Sequence, residues 1–338
     1  MKSTSKGNLL RFVGRFLTNI NNKQFREDVN HIYHNPDSIF IDHLGNLNPG
    51  ILVYPIYIDS DGWGFWASMR RVLSNLWYAD FNGFVPDVKF SLAGLYAEKA
   101  GFMQTDNPFE YYFEPIGVEG VEKSQAIIRC RDNGNPMFGD RVGTIDEYVN
   151  AYFDCQYDVS TQYIEQMGII WNKYLKFNKH TEKLVCKTEI VDKICAKKTI
   201  GVHVRGTDYG SGLSGHPVKI EDSQYVKYLK EIDCDQIFVA TDEERVIKKF
   251  QEIFSDKVIY YKDILRSKDG QPVHFSSVNR EHHHYMLGIE ILKDSYALAC
   301  CNSLVCGVSQ VSNGVRIMKS SMQEKFRHLQ IFDNGRYK

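Results

Sequence analysis

In the second half of the chain, short apolar runs alternate with longer amphipathic ones. Residues 199–204, 236–240, 257–261 and 303–306 are apolar and β-branched, while 221–231, 243–254, 283–300 and 311–319 carry helical spacing. A short, wholly apolar run reads as a strand buried on both faces, and a longer 3.6-periodic run as a helix laid over it. Their alternation predicts a parallel sheet with helices on both sides. The first half is sparser. ILVYPIYI (51–58) reads as a buried strand, followed by an Asp59-Ser60-Asp61-Gly62-Trp63-Gly64 turn and a helix from about Phe65 to Ala79. PDVKF (86–90) fits a next strand, and the aromatic, irregular stretch 91–140 reads as loops and short elements. Thr144-Ile145-Asp146-Glu147 fits a capping box opening a helix toward Tyr152, with further helical patterns at 160–177 and 181–195. Thr241 to Glu244 fits a second capping box. These elements predict an α/β protein of two domains, 1–195 and 196–338.

The polar residues that interrupt this pattern carry the chemistry. The strand Ile200-Gly201-Val202-His203-Val204 stops at Arg205-Gly206-Thr207-Asp208. Open α/β sheets place ligands where apolar strands release polar residues at their carboxyl ends. An arginine there stays charged and can clamp a phosphate through two parallel hydrogen bonds. The Gly62-Trp63-Gly64 turn either floors a cleft between the domains or is a tight turn with a packing tryptophan; it is not the dinucleotide glycine fingerprint, so NAD binding is rejected.

Composition narrows the class. With 338 residues, 43% of them hydrophobic, the chain can build full cores, and a formal charge of −1 excludes a nucleic-acid electrostatic footprint. Eight scattered cysteines without a Cys-x-x-Cys suit reduced thiols in a cytosolic protein. No apolar run reaches the roughly 20 residues that cross a bilayer, and the start does not resemble a secretory signal, since Arg11, Gly14 and Arg15 interrupt it. Leu9, Phe12, Val13, Phe16, Leu17 and Ile20 share one helical face beside Lys2, Lys6, Arg11 and Arg15. That helix either rests on an anionic membrane through residues 8–20 or docks on its own protein.

The segment TIGVHVRGTD resembles the first signature of GDP-fucose-dependent fucosyltransferases, most closely the α1,6-fucosyltransferase and nodulation fucosyltransferase group. LGIEILKDSYALACCNSLVCGVSQV (287–311) resembles that family's later signature, and IFVATDEERVIKKF (237–250) its intervening strand, Ala-Thr-Asp turn and helix. The resemblance covers roughly residues 197–318. It implies a GT-B-like fold, two Rossmann-like domains facing a central cleft, with an acceptor-side domain at 1–195 and a GDP-sugar donor domain at 196–338 whose last helix packs back on the first. It also implies an inverting transfer of L-fucose from GDP-fucose to a sugar hydroxyl of a glycan or lipid-linked glycan, in surface polysaccharide biosynthesis at the cytoplasmic side of a membrane.

On that resemblance, Arg205 is catalytic, meeting the charge that grows on the departing diphosphate, and Asp208 orients it. Asp294 accepts from N1–H and the N2 amino group of guanine. His203, Ser309, Gln310 and Val311 contact the donor, and Asp242 either touches it or caps its helix. Arg205 can supply directly the positive charge that a metal ion otherwise would, so no metal or other cofactor is expected. Glu281-His282-His283-His284 begins a helix, on which consecutive histidines diverge, and Arg280 before them can reach the donor. The chain departs from the group in two places: the loop after the signature, Tyr209 to Gly215, has no acid, and Gly206 stands where the group has a second arginine. Candidates for the general base are Asp208, His216, Asp61 and Glu110. Two other functions fit the same residues: transfer of another GDP-linked sugar, and GDP-sugar binding without catalysis.

Overall fold

A computed structural model describes residues 39–42, 45–48, 51–58, 62–124, 127–132, 135–137, 144–155, 158–207, 214–268, 270, 273 and 280–338. The expected amphipathic helix at 8–20, Asp61, Asp208 and most of the 209–215 loop lie outside them.

The second half forms β6 (Thr199–Val204), β7 (Gln236–Thr241), β8 (Val258–Ile259), β9 (Ser303–Gly307) and β10 (Leu329–Phe332), all parallel, in the spatial order β10-β9-β6-β7-β8. Between them run α6 (Asp222–Leu229), α7 (Glu244–Phe254), α8 (His283–Cys300) and α9 (Gln310–Ser321). β6, β7 and β9 are buried along their whole length, which is why they read as unbroken apolar runs. The strand order reverses direction between β6 and β9. This doubly wound order leaves a crevice at the carboxyl ends of those two strands.

The first half contributes β1 (Ile39–Asp42), β2 (Val53–Ile58), β3 (Val85–Phe90), β4 (Ile127–Asp132) and β5 (Asn135–Met137), in the order β1-β4-β2-β3 with β5 on β4. β2 and β3 are parallel, but β1 and β5 run antiparallel to β4, so this sheet is mixed. Three of its strands fall in or before stretches whose pattern reads as loop. The helices here are α1 (Phe65–Phe81), α2 (Thr144–Tyr152), α3 (Thr161–Tyr174), α4 (Lys179–Val185) and α5 (Glu189–Cys195). The single pattern at 181–195 is thus two helices, because Asn178 and Thr188 each cap a first turn by accepting from the Thr181 and Val191 N–H groups. The second expected capping box does not form: Thr241 ends β7, and α7 starts from Glu243 without a side-chain cap.

The halves are joined by helices. α9 lies on α3 and α1, and α8 lies on α4, α5 and α9. Trp66 of α1, almost wholly buried, donates from Nε1 to Ser295 Oγ of α8 at 2.8 Å. Its ring lies so close to Gly314 of α9 that a Cβ there would come within 2.1 Å of it. Only glycine allows that approach. Tyr112 OH donates to the Tyr285 carbonyl at 3.1 Å, and the Tyr285 N–H donates to Glu98 Oε1 at 3.0 Å, which docks the start of α8 on the 91–98 loop. α8 is buried almost all round, and its charged residues Glu290 and Lys293 are paired with Arg280 and Asp263. The result is an α/β, GT-B-like architecture. Among the described residues no helix is long and apolar enough to cross a membrane.

Candidate active site

Two adjoining cavities open at the carboxyl ends of β6, β7 and β9, and His203 and Arg205 line both. The larger is walled by Thr207, Thr241, Asp242, Ile264, Leu265, Glu290, Asp294 and Val311, and Tyr96 of the first half closes it. The smaller lies at the β6–β9 crevice, bordered by Val218, Ile220, Ser309 and the C-terminal residues Phe332, Asp333 and Asn334. Residues scattered from 203 to 311 in the sequence thus meet at one place. The sheet does this: His203 pairs in register with Ala240 and Cys306, so three strand ends release their polar residues at one level.

His203 is buried at the end of β6, and Arg205, one residue past the strand, keeps a third of its side chain exposed. The loop that presents Arg205 is built by Asp242. Its Oδ1 accepts from the Gly206 N–H at 2.9 Å, and its Oδ2 accepts from the Thr207 hydroxyl at 2.7 Å and sits 3.9 Å from Arg205 Nε. Asp242 therefore neither caps α7 nor hangs loose over the cavity; it fixes the arginine's loop. Gly206 has its own reason. A Cβ there would meet the carboxyl of Glu243 at 2.3 Å, and that buried carboxylate is held by Arg245 Nη2 at 2.7 Å. A side chain at 206 would have to displace a paired buried charge.

Ser309 is the N-cap of α9: its Oγ accepts from the Ser312 N–H at 3.0 Å, and the Ser312 Oγ accepts from the Ser309 N–H at 2.9 Å. The cap holds the first turn, whose opening N–H groups lie outside the helix's own ladder at the positive end of the helix dipole, and Val311 of that turn lines the larger cavity. Gln310 Oε1 is closed off from solvent without a hydrogen-bond partner.

Asp294, on the α8 wall of the larger cavity, has its Oδ1 shut off from solvent with no hydrogen-bond partner. Burial pushes its carboxyl up to about 7 from the ordinary 3.8, against the opposing pull of the Arg266 guanidinium, with Glu290 adding to the rise. One turn earlier Glu290, also on the wall, takes a two-pronged bond from Arg280 at 2.5 and 3.0 Å and accepts from the Leu265 N–H at 3.2 Å. Arg280 is thereby committed to the wall.

The three histidines at the start of α8 go separate ways. His282 packs on the Phe102 ring with centroids 4.3 Å apart, His283 Nδ1 accepts from Arg280 Nε at 3.0 Å, and His284 Nδ1 meets the Leu95 carbonyl at 2.8 Å. Of the candidate bases that are described, His216 is exposed, and neither it nor Glu110 lines the two cavities. Glu110 accepts from Thr105 Oγ1 at 2.6 Å and from Asn107 Nδ2 at 2.9 Å in the turn before it. Trp63 likewise lies off the cavity linings, stacked under the Arg71 guanidinium at 3.4 Å. Sequence reading missed Glu290, Leu265 and Tyr96 as wall residues. Glu290 carried a signal, an acid four residues before Asp294 on a largely apolar helix.

The fold and site define an α/β protein with a crevice at its topological switch point, lined by the Arg205 cation, the start of α9 and the carboxyl of Asp294. No family model matches the sequence, and no curated protein matches it. Among solved structures, the chain is similar to the α1,6-fucosyltransferase NodZ soaked with GDP-fucose, at 15% identity over 79% of this chain and 92% of that one, with a TM-score of 0.46. It is also similar to fucosyltransferase NodZ from Bradyrhizobium (15% identity, 80% and 92% covered, TM-score 0.44) and to POFUT1 in complex with GDP (13% identity, 84% and 99% covered, TM-score 0.46).

Proposed function

We propose that this chain is a glycosyltransferase that moves L-fucose from GDP-fucose to a sugar hydroxyl of a glycan or lipid-linked glycan, with inversion and without a metal ion. The observation that carries this reading is the meeting of Arg205, the α9 N-terminus and Asp294 around one crevice. On this reading Arg205 and the start of α9 hold the phosphates and Asp294 reads guanine within the same lining. It supports the role each residue has in the signatures that the sequence resembles.

Breaking the sugar–phosphate bond moves negative charge onto the departing diphosphate. Arg205 and the Gln310 and Val311 N–H groups meet that charge, and they are fixed beforehand by Asp242 and by the Ser309 cap, so little reorganisation is needed as it develops. Ser309 acts here as the cap, its hydroxyl donating to Ser312 Oγ at 3.2 Å within the capping box. Asp294 ionises on binding and accepts from guanine N1–H and N2–H, a donor pair that adenine and uracil do not present in this arrangement. The acceptor enters from the side of residues 1–195, past Tyr96, and the donor is held by 196–338. A cytoplasmic enzyme of surface polysaccharide synthesis, touching the inner membrane face through residues 8–20, accords with this reading.

Calorimetric titration with GDP, GDP-fucose, GDP-mannose and UDP in EDTA, on the wild type and on Arg205→Ala, tests it. Binding of the guanine ligands but not UDP, largely lost in the variant, is expected. Absence of GDP binding, or an Arg205→Ala protein that binds it unchanged, overturns the reading. Donor turnover with an acceptor mixture then separates fucose from mannose and transfer from mere binding.

A further inference from the structure

Three acidic residues border the larger cavity, Asp242, Glu290 and Asp294, and they are differently employed. Asp242 is taken up with the Arg205 loop, and Asp294 keeps an oxygen without a donor. Glu290 is buried and stands one helical turn before Asp294 on α8. Residues four apart share a helix face, about 6 Å from one another along the axis, and these two border the same cavity.

A carboxylate offers about four acceptor sites, and three of those on Glu290 are filled. Its Oε1 accepts from Arg280 Nη1 at 2.5 Å and from the Leu265 N–H at 3.2 Å, and its Oε2 accepts from Arg280 Nη2 at 3.0 Å. Among the described residues nothing else donates to Oε2. A buried charge is costly even when it is paired, and the wall is otherwise closed here by apolar side chains, Leu287 and Ile291 of the same helix. A glutamate in that row, paired yet with one acceptor site left, suits a ligand that brings a further hydrogen-bond donor.

A nucleotide held by Asp294 through N1–H and the N2 amino group brings one. The N2 group adjoins the edge of guanine that carries N3, and the ribose 2′-hydroxyl lies beside that edge. It is the next donor along the ligand after the pair that Asp294 takes. Dinucleotide-binding α/β folds take the same hydroxyl with an acidic side chain, because a carboxylate can only accept where the hydroxyl has to donate.

Building on the guanine site proposed above, we infer that Glu290 is a ribose-reading residue, accepting the 2′-hydroxyl of the donor nucleotide at Oε2. Arg280 offsets its charge, so the carboxylate can stand in a site that also takes a diphosphate. The donor is thereby selected as a ribonucleotide. Asp294 cannot make that distinction, since ribo- and deoxyribonucleotides present it with the same base.

The test uses the intact protein with GDP and 2′-deoxy-GDP, which lacks only that hydroxyl. Wild type is expected to bind 2′-deoxy-GDP roughly 10- to 100-fold more weakly than GDP, as befits a lost bond to a charged acceptor. The double variant Arg280→Met, Glu290→Met removes both charges, so that neither is left unpaired, and it is expected to treat the two ligands alike. Equal affinity of the wild type for both ligands overturns the inference while leaving the guanine site standing. So does a double variant that still discriminates between them. Failure of the wild type to bind GDP at all takes down the underlying site and this inference together. If the variant does not fold, as circular dichroism will tell, the wild-type comparison decides the matter alone.

Discussion

Asp294 ties ligand binding to pH and to stability with opposite signs. Guanine bound as proposed needs an ionised carboxylate, and burial holds that carboxyl at about 7. About a tenth of the molecules are then ionised at pH 6 and about nine tenths at pH 8, so GDP affinity should rise about tenfold between those values. Binding near pH 7 should also release a fraction of a proton, measurable as a calorimetric enthalpy that changes with the ionisation heat of the buffer. For stability the folded-state value lies above the ordinary 3.8, so the folded chain holds the proton more tightly than the unfolded one. The stability this contributes is complete below about pH 4 and is lost as pH rises to about 7, where at most about 4 kcal/mol is gone. Water reaching the cavity side of the carboxyl makes the real figure smaller. Asp294→Asn removes the titration. It should bind GDP roughly 30- to 150-fold more weakly, because bonds to a charged acceptor are worth about 2–3 kcal/mol. Yet it should unfold in urea at a higher midpoint than wild type at pH 8, with the advantage gone at pH 4. A GDP affinity flat between pH 6 and 8, or a variant less stable than wild type at pH 8, would refute the reasoning.

Three further outcomes follow from the geometry. Asp242→Asn removes the charge facing Arg205 and one acceptor of the Thr207 contacts; it should weaken GDP binding by about 1.5 kcal/mol, roughly tenfold, without lowering the melting temperature by more than a few degrees. Gly314→Ala drives a methyl into the Trp66 ring and should cost about 1–3 kcal/mol in urea unfolding, with the Trp66 fluorescence altered. Deleting residues 335–338 removes the bonds from the Gly215 N–H to the Tyr337 carbonyl and from the Val218 N–H to the Gly335 carbonyl, each 2.9 Å; hydrogen exchange at those two amides should speed up while the β6 amides stay protected.

The local pattern of the chain was enough for the donor half. β6, β7, β9, α7, α8 and α9 lie where unbroken apolar runs and 3.6-residue spacing place them, within a residue or two. This is because strands buried on both faces and helices covering them write their environment into consecutive residues. Arg205 could be singled out because it stands just past the end of such a strand, whereas His203, Asp294 and Ser309 stood out only through the resemblance of their segments to the fucosyltransferase signatures. The antiparallel β1, β4 and β5 were not legible in this way, since short strands in a mixed sheet owe their form to cross-strand partners rather than to their own sequence. β10 was missed for the same reason: its four residues are only partly buried, and they are a strand because β9 lies beside them. Tertiary structure alone decided that Asp242 builds the Arg205 loop and that Glu290 ties down Arg280. Each of these depends on side chains from distant segments competing for the same few donors and acceptors. That competition is settled by where the backbone delivers them, which no local pattern records.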